Sequence, residues 1–277
     1  MRSLGARAQG PGQWAPSEAR ARAPLLAGVV PALIIGGWLV AVAALSTGQG
    51  AALHQHAPLE AGPPDWVAVP RFLLAWAVMV AAMMLPSSLP AVRAFEAGGQ
   101  QARPGLALAS FLGTYAAVWT VFGLVAFSGE VIVQRLIDAT PWLVARPWFV
   151  AGGVLALVGT YQFVPVKRRS MAACRQPNRP PAVLAGPRRG SIRLALGRGL
   201  AHGFAHGLDC LGSSGPLMLL MLGAGLSDLW WMAALGTVMA YETMGRHGRR
   251  AASIVGAMLL WAAALVVLPG VLPGAPG

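Results

Sequence analysis

GLAHGFAHGLDCLGSSGPLMLLM, residues 199 to 221, opens in glycine-rich polar sequence and closes in an apolar run. Its first half carries His202, His206, Asp209 and Cys210, and its second half is apolar enough to enter a bilayer. An advance of about 100° per residue along a helix brings His202, His206 and Asp209 within roughly 60° of one another, with Cys210 at the edge of that arc. One helix face can therefore present imidazole, carboxylate and thiol donors where a helix meets a membrane. Gly199, Gly203 and Gly207 recur at every fourth residue of the same stretch, a pattern that lets two helices approach closely. The histidines then have a second reading, as polar groups beside a packing seam, and both readings stand at this stage.

Outward from this stretch the chain stays apolar. Of its 277 residues 56% are hydrophobic and 11% charged, and the mean hydropathy is +0.60, too apolar for the surface of a soluble domain. Runs near the roughly 20 residues needed to cross a bilayer recur at residues 25–45, 70–91, 105–127, 147–166, 208–226, 229–244 and 251–269. The expected fold is all-α, a polytopic transmembrane bundle of about seven spans, with six or eight as neighbouring counts.

A net charge of +12 would suggest a nucleic-acid partner for a soluble chain. In a membrane protein the placement of Lys and Arg reports orientation instead. Eighteen of the 21 fall in the tail and the even-numbered connections, nine of them between Lys167 and Arg198, and only Arg71, Arg135 and Arg146 lie on the other side. This asymmetry predicts a multi-pass membrane protein with its N-terminus cytoplasmic and its C-terminus outside, partnered by the lipid bilayer and by no nucleic acid. Residues 1–24 read as a disordered basic cytoplasmic tail, and residues 25–272 as the transmembrane domain. A basic, proline-rich cytoplasmic loop at about 167–198 interrupts that domain, with Lys167, Arg168 and Arg169 marking the membrane boundary. Cys174 and Cys210 both fall on the cytoplasmic side, where thiols stay reduced, so no disulfide is expected.

The second run, FLLAWAVMVAAMMLPSSLP, sets Met79 and Met83 four residues apart with Met84 beside them, before Pro86 and Pro90 break the helical hydrogen bonding. Thioethers beside such a break suit Cu(I), which prefers soft sulfur, and they equally suit adaptable packing. The third run carries Tyr115 and Trp119 four apart and reads as scaffold, and residues 128–146 read as an outer connection with a short interfacial helix. His54 and His56, near Glu60 and Asp65, form an outer loop that either captures a metal or is simply solvated. Glu242, at the cytoplasmic end of the sixth run, needs a partner if it lies in the membrane. Met83, Met84, Cys174, His202, His206, Asp209, Cys210 and Glu242 thus share one depth, as a single metal site for copper or zinc would require. No phosphate loop, dinucleotide fingerprint or HExxH motif is present, and Ser213 and Ser214 have no convincing His-Asp partners, so no catalytic reaction is expected.

The ordered set AWAVMVAAMMLPSSLP, YQFVPVKRRSMAACRQP, HGLDCLGSSGPLMLLML and LWWMAALGTVMAYETM resembles the bacterial family of predicted metal-binding integral membrane proteins, a domain of unknown function. The likeness covers about residues 66 to 268. It implies a protein of the bacterial inner (cytoplasmic) membrane with a metal role, in copper handling or insertion, alongside other membrane subunits or a metal-delivery protein. Several of the family's cysteines are replaced: Gly212-Ser213-Ser214-Gly215 stands where the family has Gly-Cys-Cys-Trp, Ser170 stands at a cysteine position, and Glu242-Thr243 replaces a Glu-Lys pair. Two other functions remain open on the sequence, a transporter or permease subunit and a structural or assembly subunit that has lost metal binding.

Overall fold

The computed structural model describes residues 23–46, 68–97, 103–175, 192–223 and 229–271, and apart from short turns these residues are helical. The His54 and His56 loop, residues 1–22 of the expected tail, residues 176–191 of the basic loop, and Asp228 lie outside the described residues. In chain order the helices are α1 (Ala23–Ser46), α2 (Ala68–Met79), a π-helical turn (Val80–Met84), α3 (Leu85–Ala97), α4 (Pro104–Asp138), α5 (Pro141–Val144), α6 (Pro147–Tyr161), α7 (Pro165–Arg175), α8 (Ile192–Gly223), α9 (Leu229–Met244) and α10 (Gly248–Val271). Four of them, α4 to α7, begin on proline, whose missing N–H costs nothing in a first turn and whose ring presets the helical φ.

The described residues adopt the expected all-helical fold. Among them three helices are long and apolar enough to cross a membrane: Val69–Glu96 taken through the π turn, Pro104–Asp138, and Gly248–Leu268. A fourth is added if α6 and α7, bent by 57° at Gln162, Phe163 and Val164, count as one. Residues 128–138, expected in an outer connection, instead continue α4 to Asp138, since nothing before Thr140-Pro141 interrupts the backbone hydrogen bonding.

Proline also opens the helices where other elements need acceptors. Pro86 has no N–H for the carbonyl of Ala82, and the Trp38 indole of α1 donates to that oxygen at 3.1 Å. The same break is relieved upstream by the π turn, in which the Leu85 N–H reaches back to the Val80 carbonyl. Pro216 likewise frees the carbonyl of Gly212 in α8, and the Tyr161 hydroxyl at the end of α6 donates to it at 2.8 Å. Each proline thus ties its helix to a neighbour through a polar contact that an unbroken helix would not offer.

The most extensive packing is between α4 and α8. A Cβ at Gly199 would collide with Ser110 and the Ala107 carbonyl, one at Gly203 with the Phe111 carbonyl, and one at Gly207 would sit 3.0 Å from Val118. The glycine repeat is therefore the seam along which α8 lies against α4. Next to it, Trp76 of α2 donates to the Trp119 carbonyl at 2.8 Å, and Gly123 leaves room for its indole. The core that results is rich in thioethers: of the ten methionines among the described residues, eight are buried.

Candidate functional site

Cys210 is 1% exposed and follows the last glycine of the seam by three residues. Its Sγ lies 3.2 Å from the Tyr115 hydroxyl of α4 and 4.0 Å from the Ser87 hydroxyl of α3. The Trp119 indole N–H, one turn beyond Tyr115 on α4, is buried without a hydrogen-bond partner. One turn earlier on α8, His206 stacks between Phe111 and Tyr115, and its Nε2 is 3.1 Å from Ser88 Oγ. Ser88 in turn donates to the Met84 carbonyl at 3.2 Å, as Ser87 does at 2.7 Å. The Ser88 hydroxyl thus lies between the Met84 carbonyl and the His206 imidazole.

The Met84 carbonyl collects these donors because it ends the π turn, just where the ladder of backbone bonds is displaced. Met83 and Met84 are both buried in that turn. The thiol and the imidazole are thus set by α3, α4 and α8 beside the irregular stretch of helix in which Met83 and Met84 are buried.

A second polar cluster meets α8 at Ser213, three residues after Cys210. Lys167 Nζ pairs with Glu242 Oε2 at 2.6 Å and donates to the Ser213 carbonyl at 2.8 Å, with both ionic side chains no more than 2% exposed. Glu242 therefore has the partner its position demanded. Lys167, expected with Arg168 and Arg169 at the membrane boundary, is turned inward: α7 starts at Pro165, and Lys167 is buried while Arg168 and Arg169 remain exposed. Arg175, at the other end of α7, donates to the carbonyls of Glu242, Thr243 and Gly245 and so caps α9. Gly248 is required there, because a Cβ would run into the Glu242 carbonyl and Arg175.

The remaining expected ligands are more scattered. His202 bonds through Nδ1 to the Arg198 carbonyl at 2.9 Å and packs on Phe95. Cys174 of α7 is buried against Ser213, within electrostatic reach of Asp209 and Cys210, and both cysteines are free. Asp209 is partly exposed. Among the described residues no group of three or more His, Cys, Asp and Glu side chains is gathered closely enough to hold a metal ion. His206 and Cys210 do come together with the Met83–Met84 turn, whereas Glu242 is drawn to Lys167.

Sequence reading missed Tyr115, Ser87, Ser88 and Lys167. Tyr115 was legible only as an apolar-run aromatic, yet a phenol enclosed in a helix bundle needs a polar partner, and that need points to a site. The two serines follow Pro86 directly, where hydroxyls commonly serve displaced carbonyls.

Fold and site define a helical bundle that encloses soft donor atoms, a thiol and thioethers, beside an imidazole. The model of the PpoB2 family, described as copper chaperone, matches residues 73–266, and the chain belongs to this family. That span takes in the π turn, Tyr115, Lys167, Cys210 and Glu242. No curated protein and no solved structure matches the chain.

Proposed function

We propose that this protein is a seven-span protein of the bacterial inner membrane that receives copper as Cu(I) cargo and passes it to an acceptor protein, without catalysing a reaction. One observation carries the reading: in a chain of the copper chaperone family, the buried Cys210 thiol stands with the His206 imidazole beside the thioether-bearing π turn. Thiol, thioether and imidazole are the donors Cu(I) prefers, and Ser213 and Ser214, where the family resemblance expects sulfur, are poor ligands for it. The Tyr115 hydroxyl holds the sulfur in place and can donate to it as it loses its proton to the metal.

The membrane reading is supported by the three long apolar helices, by large apolar side chains left exposed, among them Ile35, Leu74, Leu157, Trp230 and Trp261, and by the one-sided distribution of Lys and Arg. The bent pair α6–α7 and the helices α1, α8 and α9 supply the other spans, with the buried Lys167–Glu242 pair neutralising the charge that α7 and α9 bring inside.

The deciding measurement is the copper content of protein purified in detergent under reducing conditions. Wild type is expected to retain Cu(I), and Cys210→Ala and His206→Ala each to lower its affinity about tenfold or more, on the order of 1.4 kcal/mol or above. Equal copper retention by both variants would sink the site. Orientation is tested separately: in whole cells an Arg188→Cys variant should resist a membrane-impermeant maleimide applied from outside, and rapid labelling would reverse the topology.

A further inference from the structure

His202, His206 and Cys210 stand at every fourth residue of α8. Residues four apart share a helix face and are separated by about 6 Å along the axis. The three side chains meet α3 in order of depth. His202 packs on Phe95, two residues before α3 ends at Ala97, whereas His206 meets Ser88, a further seven residues from that end. Cys210 follows at Ser87, with Tyr115 of α4 on its sulfur. Phe95 and Phe111 connect the two imidazoles: their ring centroids are 5.2 Å apart, Phe95 is 5.2 Å from the His202 ring, and Phe111 is 6.0 Å from the His206 ring. His202 thus stands one turn nearer the end of the bundle than His206, against the same aromatic pair.

The hydrogen bond of His202 decides which of its nitrogens is available. Nδ1 lies 2.9 Å from the Arg198 carbonyl, and a carbonyl only accepts, so Nδ1 carries the proton of the neutral ring. The lone pair is then on Nε2, which makes no hydrogen bond among the described residues. A ring N–H tied to a backbone carbonyl is the usual support of a metal-ligating histidine, because it fixes the tautomer and the ring orientation and raises the basicity of the other nitrogen. His202 has that support and half-buried surroundings, and the Cys210–His206 site makes no use of it.

We infer that His202 is the outer ligand at which Cu(I) enters, held through Nε2 before it passes to His206 and Cys210. This rests on the copper-handling reading above and gives that site its entrance. Imidazole is an uncharged, borderline donor and holds Cu(I) less firmly than a thiolate, so the preference of the ion runs inward along α8 toward Cys210. With a full turn between successive donors, the three do not close around one ion together, and neighbours hold it in succession. The hand-over from His202 to His206 exchanges one Cu–N bond for another. Copper stays Cu(I), and no proton moves between the two neutral rings.

The test supplies Cu(I) to the detergent-solubilised full chain as the complex of a chromophoric Cu(I) chelator, and follows loss of the chelate colour by stopped flow and again at equilibrium. Wild type is compared with His202→Gln, whose amide N–H still serves the Arg198 carbonyl but which has no nitrogen lone pair for copper, and with His202→Met, which restores a soft donor. His202→Gln is expected to load and release Cu(I) about tenfold more slowly than wild type, with equilibrium affinity and thermal midpoint unchanged. His202→Met should recover most of the rate, a rescue that a merely structural histidine would not show. Wild-type rates in His202→Gln overturn the inference and leave the Cys210 reading standing. So does an affinity loss as large as that of Cys210→Ala, which would make His202 a permanent ligand, and so does a rate loss that His202→Met fails to restore. A wild type that takes up no Cu(I) overturns the copper reading itself, and the entrance with it.

Discussion

Lys167→Met is expected to destabilise the protein by about 3–5 kcal/mol, because it leaves the Glu242 carboxylate buried without its counterion. The pair is 2.6 Å long and enclosed on all sides, and the same ammonium also serves the Ser213 carbonyl of α8. Removing it strips three helices of a shared contact, with α7, α8 and α9 each losing one partner. The attraction itself is not the source of so large an effect, since the cost of dehydrating both ions offsets most of it. The effect comes from the charge left behind. Lys167→Met/Glu242→Leu should therefore recover most of the lost stability, although neither ion is present. Thermal or denaturant unfolding in detergent reads this directly. A single variant as stable as wild type, or a double variant no better than the single, would show that the pair does not govern the packing of these helices.

The same ion pair marks how far the sequence can be read. Hydropathy located the helices well, because the apolar runs at 105–127, 229–244 and 251–269 lie within α4, α9 and α10. The spacing of Gly199, Gly203 and Gly207 pointed to a close helix contact, and these glycines are the seam with α4. What a one-dimensional pattern does not carry is the identity of a polar group's partner. Lys167-Arg168-Arg169 looks like a headgroup cluster because three adjacent cations do not reveal which one the helix turns inward. Only the start of α7 at Pro165 settles that register. Glu242 announced that it needed a partner, yet Lys167 is 75 residues away and becomes its neighbour only through packing.

The functional cluster shows the same division. His206 and Cys210 stood out as donors on one helix, and both do reach the interior. The single-helix reading nevertheless gave too much weight to helical angle. Their surroundings come from other helices: Tyr115 from α4, and Ser87 and Ser88 from α3. Pro86 and Pro90 signalled a break in the second run, but not the π turn that moves Met83 and Met84 in register and aims the Met84 carbonyl at three hydroxyls. Such a displacement depends on what fills the space around it, here the Trp38 indole and α9, and not on the local residues alone.

Two alanine substitutions on α8 should have opposite signs. Gly197 faces open space, with no atom near a built Cβ, so Gly197→Ala is expected to stabilise the helix by up to about 1 kcal/mol through propensity alone. Gly203→Ala gains the same propensity but places its methyl against the Phe111 carbonyl, and the Phe111 C and Cα atoms follow at 3.0 Å. A flexible side chain could turn aside from such a contact, whereas backbone cannot, so α8 must move away from α4. Overpacking of this kind costs about 1–3 kcal/mol, and in lipid close van der Waals packing is the main force that holds two helices together. The displacement also reaches the site. Phe111 stacks on His206, and Tyr115 lies one turn further along α4 against Cys210, so separation of the seam lengthens the 3.2 Å contact to the sulfur. Gly203→Ala should therefore melt at a lower temperature than wild type and bind Cu(I) more weakly, while Gly197→Ala melts at the same or a higher temperature with binding intact. Equal melting temperatures for the two variants would mean that the seam tolerates a methyl group, and the close approach of α8 to α4 would then not be what positions Cys210.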